Sequence, residues 1–252
     1  MRIKLNNYFL HNICFFNSNV RSGMKVKLFS KRDPLTQARK RCLKKFLYYF
    51  KKGFEDQKYI DWERQYKLDA HFQFQQDLDV DTYTSLLQQK KFEEIALKAV
   101  KIESKTNLLF SFEKMALRDA IKTGEGAKAF ATGLFKYIYG KNTLQARFEN
   151  FVEVVSHLPR KQTRVLTWPL VTVFGFIANP SEHIFLKPRV TKIAAEKYQF
   201  DFNYHSRPHW NTYNSLLEFA EQIRQDTIEY KPADYIDLQS FIWVMGSDEY
   251  PD

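Results

Sequence analysis

The sequence predicts a mostly α, multi-helix globular protein, and three observations carry that prediction. Apolar residues recur at i, i+3, i+4 and i+7 along most of the chain, the spacing of one helix face. Capping residues punctuate these runs, with Thr, Asn, Asp or Pro at their starts and Gly or Pro at their ends. The eight Gly and eight Pro among 252 residues are too few for an all-β fold full of tight turns. At most a minor short strand pair is expected. Twenty-three Phe and fourteen Tyr supply ample material for a core.

The first clear element is a basic amphipathic helix opening at Asp33-Pro34, a good N-cap followed by a residue suited to the first turn. Leu35, Ala38, Cys42, Leu43, Phe46, Leu47 and Phe50 form its apolar stripe, and Gly53 ends it. Arg39 projects onto that stripe and needs a carboxylate partner or an exit to solvent. A second helix spans about 55–78 and carries Tyr59, Ile60, Trp62, Tyr66, Ala70 and Phe74. Residues 82–89 and 92–103 read as two short helices or one bent one. Thr106-Asn107 cap the next, with Leu108, Leu109, Phe112, Met115 and Ala116 inward and Gly124 as its stop. Helices over 127–139 and from Asn142-Thr143 to His157 follow.

Residues 159–164 form an internal linker. The very apolar stretch 165–177 fits a strand or a buried helix, and Trp168-Pro169 favours a helix starting there. Residues 184–186 read as a short extended piece. Helices are expected over 189–198, 211–229 and 233–245. The expected organisation is a basic, disordered leader over 1–30, with Met24 as an alternative start, a helical region over 31–158, and an aromatic-rich helical region over 165–252 packed with it.

The charge is strongly segregated. Residues 1–54 hold fourteen Lys/Arg and one acid, for a net +13, while the rest of the chain is −3 and the whole is +10. Such segregation is the footprint of a polyanion contact. On the basic helix Lys40, Arg41, Lys44, Lys45, Lys51 and Lys52 oppose the apolar stripe, with Tyr48 among them. Lysines there would meet backbone phosphates, and Tyr48 would stack or hydrogen-bond. An ordinary solvated face would mix both signs of charge. An anionic membrane surface or an acidic protein partner would also suit this helix.

A second candidate is the loop 204–210, where Arg207 and His209 precede a helix and would suit an anion. Trp210 and Tyr213 as core, with Arg207 paired to Asp201, is the plainer reading. His205 and His209 are not expected to bind zinc, because Pro208 denies them a shared helical face. Gly124-Glu-Gly126-Ala-Lys-Ala129 matches a loose dinucleotide fingerprint, but a helix rather than a strand precedes it. Glu103-Ser-Lys105, with Asp77, Asp79 and Asp81 upstream, has the spacing of metal-dependent nucleases but again lies on a helical pattern. Glu113 and Asp119 need a partner from elsewhere to act as a catalytic pair. Two cysteines, Cys14 and Cys42, do not make a disulfide framework.

The expectation is an intracellular, cytoplasmic nucleic-acid-binding protein that uses the basic helix for phosphate contacts and needs no cofactor or metal. A helical nuclease-like enzyme is one alternative. It requires Asp81 and Glu103 to converge with Lys105. An adaptor docking on an acidic partner is the other, and requires an exposed apolar patch in the C-terminal portion.

Overall fold

The computed structural model describes residues 35–161 and 164–252. The expected leader, Met24 and the Asp33-Pro34 cap lie outside the described residues. Among the described residues the regular structure is helical and no strand forms.

Helix α1 (Gln37–Tyr49) is capped by Thr36, whose hydroxyl oxygen accepts from Arg39 N at 3.3 Å. The cap therefore sits three residues later than Asp33. It satisfies an N–H that has no partner within the helix. Gly53 closes the turn after α1 with φ +62, a conformation that costs a residue bearing a Cβ. A short α2 (Gln57–Tyr59) runs through a π-helical segment (Ile60–Arg64) into α3 (Gln65–Leu78). Next come α4 (Val80–Gln88), α5 (Phe92–Ser104), α6 (Ser111–Ala120), α7 (Gly124–Tyr139) and α8 (Leu144–Ser156). After the 159–164 segment follow α9 (Trp168–Ala178), α10 (Pro188–Tyr198), α11 (Trp210–Asp226) and α12 (Tyr235–Gly246).

Helix α9 is the centre of the core. Every residue from Trp168 to Ala178 is buried, and α3, α5, α7 and α8 pack around it. Its start is as the sequence implies: Thr167 caps it and Pro169 stands in the first turn. The 184–186 piece is extended and buried but pairs with no strand. Side chains supply its hydrogen bonds instead, with Ile184 N donating to Tyr213 OH at 3.1 Å and Leu186 N to Thr172 Oγ1 at 3.1 Å.

Two expected details are corrected. Gly124 opens α7, with Thr123 as its cap, while the preceding helix has already ended at Ala120. Phe112 and Met115 are not inward but 50% and 62% exposed, because none of the other described elements covers that face of α6.

The stripe of α1 docks on α10 and α12. Phe46 is fully buried, with ring centroids of Phe54 at 4.8 Å and Phe241 at 5.1 Å. Helices α10 and α12 meet at Gly246, where a Cβ would come within 2.1 Å of Val190 O.

The core also holds an ionic cluster between α2–α3 and α12. Lys67 Nζ donates to Ser240 Oγ at 2.8 Å and to Glu63 Oε2 at 3.3 Å, and Tyr250 OH donates to Glu63 Oε1 at 2.5 Å. Beside it, Tyr59 OH and Arg64 Nη1 both donate to Asp237 Oδ1, at 2.5 and 2.6 Å. Tyr59 and Arg64 are five residues apart, about 140° out of line in an α-helix at ~100° per residue. The π segment, whose hydrogen bonds span five residues, brings both onto one carboxylate.

Candidate functional site

With its stripe buried, α1 presents its other face outward. Lys40, Arg41, Lys44, Lys51 and Lys52 are all exposed, and Tyr48 is 75% exposed. No acidic residue occurs within α1 itself. The expected cations are therefore outward, with two corrections: Lys51 and Lys52 stand in the turn after α1 rather than on the helix, and Lys45 is largely covered. Lys45 is only 11% exposed in its side chain and pairs with Asp252 Oδ1 at 2.6 Å. Lys197 of α10 grips the same carboxylate at 2.6 Å, and Tyr49 OH donates to Pro251 O at 2.6 Å. Pro251 and Asp252 thus line a groove of about 1070 Å³ alongside α1 and α10. Hydrogen bonds from Lys197 and Lys45 hold the Asp252 carboxyl below the usual carboxylate range.

Arg39 finds the carboxylate it needs. Its Nε lies 3.7 Å from Asp226 Oδ2, and its guanidinium sits 5.8 Å above the Tyr198 ring. Cys42 is buried within the stripe. Burial pushes its thiol up to about 11, against the opposing pull of Lys197, Lys45 and Arg41, so it stays protonated and unreactive at neutral pH.

Aromatic groups extend the face beyond the residues read from sequence. Lys58 Nζ lies 4.2 Å from the Trp62 ring and 5.9 Å from the Tyr49 ring, and Tyr49 meets Tyr48 at 5.2 Å. Trp62 is 55% exposed rather than packed in the apolar run. Lys58 and Trp62 stand four apart, a signal available in the sequence. Lys197 comes from a distant helix, and nothing near α1 in the sequence points to it.

Arg207 and His209 share the lining of one open pocket. His209 caps α11, its Nδ1 accepting from Asn211 N at 3.2 Å. Arg207 is exposed at an open pocket of about 380 Å³ that Phe148 and Trp210 also line.

The nuclease-like residues serve the fold. Asp79 caps α4 through Asp81 N at 2.9 Å and Thr82 N at 3.0 Å. Glu103 is buried and meets Lys114 at 3.4 Å, while Lys105 Nζ donates to Gln73 Oε1 at 3.3 Å. Glu113 is buried, accepting from Phe110 N and Thr167 Oγ1, each at 3.0 Å, and Asp119 pairs with Lys122. Among the described residues no group of three or more His, Cys, Asp or Glu side chains is placed to hold a metal ion. The Gly124–Ala129 fingerprint forms the first turns of α7, just after the turn from α6, with Gly126 packed on Ala120 O. Large exposed apolar side chains gather at Phe110, Phe112 and Met115, ahead of the C-terminal portion that an adaptor surface was expected to use. None of the described helices is long and apolar enough to cross a membrane.

Comparison with known proteins gives no match: no family model fits the chain, and no curated protein or solved structure is similar to it.

Proposed function

We propose that this protein binds nucleic acid through the outward face of α1, with single strands favoured over duplex. The observation that carries the reading is the pairing of five exposed cations with exposed aromatic rings. Lys40, Arg41, Lys44, Lys51 and Lys52 are exposed beside Tyr48 and the Lys58–Trp62 pair. Cations neutralise backbone phosphates, and exposed rings stack on unpaired bases whatever their sequence. A duplex keeps its base faces covered, so Tyr48 and Trp62 favour a single strand. Five phosphate contacts give a log–log salt slope of about −3.5 on a single strand. Asp252 occupies Lys45 and Lys197 much as a phosphate would, so a bound strand competes with it for both.

The test is fluorescence anisotropy of the full chain with labelled single-stranded DNA, single-stranded RNA and duplex across a salt series. Replacing Lys44, Lys51 and Lys52 by Gln removes about three contacts. The slope should flatten by about 2, with a roughly hundredfold loss of single-strand affinity at 0.1 M salt. Asp252→Ala should steepen the slope by about 1.4 by freeing two lysines. An unchanged slope and affinity in the triple variant would overturn the reading.

A further inference from the structure

A second cavity, of about 590 Å³, shares α10 and α12 with the α1 groove but no lining residue. Three helices open onto it with their N-terminal turns. Helix α6 contributes Phe110 and Phe112, α9 contributes Thr167 and Trp168, and α10 contributes Lys187 and Arg189. Helix N-termini carry partial positive charge and unpaired N–H groups, and their convergence favours an anion. In α6 and α9 those groups are answered internally. Glu113 accepts from Phe110 N, and Thr167 Oγ1 accepts from Leu170 N. The first turn of α10 has no side-chain cap.

Independent evidence comes from Lys187. It is only 8% exposed, yet it lines the cavity. Its Nζ donates to Leu108 O at 2.8 Å and sits 3.4 Å from the Phe110 ring centroid. An ammonium has further donors to give. Arg164 stands at the rim. So does Arg189, whose pairing with Asp248 at 3.0 Å is highly exposed and therefore weak. The remaining walls mix aromatic rings with three carboxylates that already have donors: Glu113 from Phe110 N and Thr167 Oγ1, Asp248 from Arg189, and Glu249 from Trp243 Nε1. Phe110 and Phe112 stack at 5.5 Å and 22°, with Trp243 and Tyr204 also on the lining. A concave, partly open and mostly apolar volume with a few convergent polar groups is the usual form of a small-ligand site.

We propose that this cavity binds a nucleoside monophosphate unit, with its phosphate at the α10 N-terminus beside Lys187, Arg189 and Arg164, and its base against Phe112 and Trp243. The unit would be a free nucleotide or the phosphorylated end of a strand. The inference stands on residues separate from the α1 face, and either can fail alone.

The experiment follows Trp168 and Trp243 fluorescence, checked by calorimetry, as the full chain is titrated with the four common nucleoside monophosphates. The parent nucleosides, inorganic phosphate, and an oligonucleotide with and without a terminal phosphate form the comparison arms. The expected result is saturable nucleotide binding at least tenfold tighter than nucleoside or phosphate alone. Phe112→Ala and Arg164→Gln, both at exposed positions, should each weaken it about tenfold, and the Lys44/Lys51/Lys52 triple variant should bind as the native chain does. Tighter binding of the phosphorylated oligonucleotide than of the mononucleotide would identify a strand end as the source, and the reverse a free nucleotide. Absence of saturable binding at millimolar nucleotide would overturn the proposal, as would equal binding by the Phe112→Ala/Arg164→Gln double variant.

Discussion

Replacing Lys67 by Met should be among the most destabilising single changes in the protein. Lys67 and Glu63 are 2% and 5% exposed, and each compensates the other's charge. Glu63 has the Tyr250 hydroxyl at 2.5 Å and the Lys67 ammonium at 3.3 Å. Met keeps most of the aliphatic volume but removes the cation, which leaves a buried carboxylate with one neutral donor. Breaking a buried pair in this way costs about 3–5 kcal/mol. Against a typical total of about 5–15 kcal/mol, that is a large share of stability.

Removing both charges is a different perturbation. Glu63→Leu with Lys67→Met leaves no uncompensated ion, and such replacements are commonly neutral or stabilising. The double variant should therefore return to within about 2 kcal/mol of the native chain, although each single change costs several. Urea unfolding followed by far-ultraviolet circular dichroism and by tryptophan fluorescence measures the whole cycle. The comparison is valid where the m-value is unchanged. A Lys67→Met variant within about 0.5 kcal/mol of native would refute the reasoning, since surface changes have effects of that size. So would a double variant as unstable as the sum of the singles. Burial lowers the pKa of Lys67 below the usual lysine range. The unfolded chain then binds the extra proton, so this residue makes stability rise with pH up to about 10.4, where a free lysine titrates.

Two further outcomes are expected. His183 is fully buried, its pKa lowered to about 3 by burial and by Arg147, and neither ring nitrogen is hydrogen-bonded although Glu182 Oε2 lies 3.4 Å from Nε2. Between about pH 6.5 and pH 3 the unfolded chain takes the proton, so stability should fall on acidification by up to ~1.4 kcal/mol per pH unit. A His183→Phe variant should lose that slope in acid-unfolding curves, and an identical slope would exclude His183 as its source. Phe46→Ala should cost about 3–5 kcal/mol in denaturant unfolding, because its ring is enclosed by Phe50, Phe54, Tyr59 and Phe241. A near-native midpoint would mean that α1 is not docked through its stripe.

What the sequence makes legible here is what local chemistry decides. The start of α9 follows from Thr167 and Pro169, and the capping of α8 from Thr143. The demand of Arg39 for a carboxylate follows from its place in the stripe, although Asp226 as the answer does not. Phe112 and Met115 obey helical spacing but end exposed, because spacing defines a face and not what covers it. Glu63 and Lys67 have the i, i+4 spacing of an ordinary surface pair. They are buried because Ser240 and Tyr250 close over them from the far end of the chain.

The same distinction governs the candidate interface. Reading one helix counts six cations: Lys40, Arg41, Lys44, Lys45, Lys51 and Lys52. Folding subtracts Lys45, whose partner Asp252 is 207 residues away, and leaves five, with Lys58 held over the Tyr49 ring beside them. It also ties Lys197 to the same carboxylate, so Asp252 withholds two lysines at once. Charge segregation thus singles out the helix that the proposed polyanion contact would use, but not how many phosphates it would meet. That number depends on acids the sequence places far from α1, and the salt slope measures it directly.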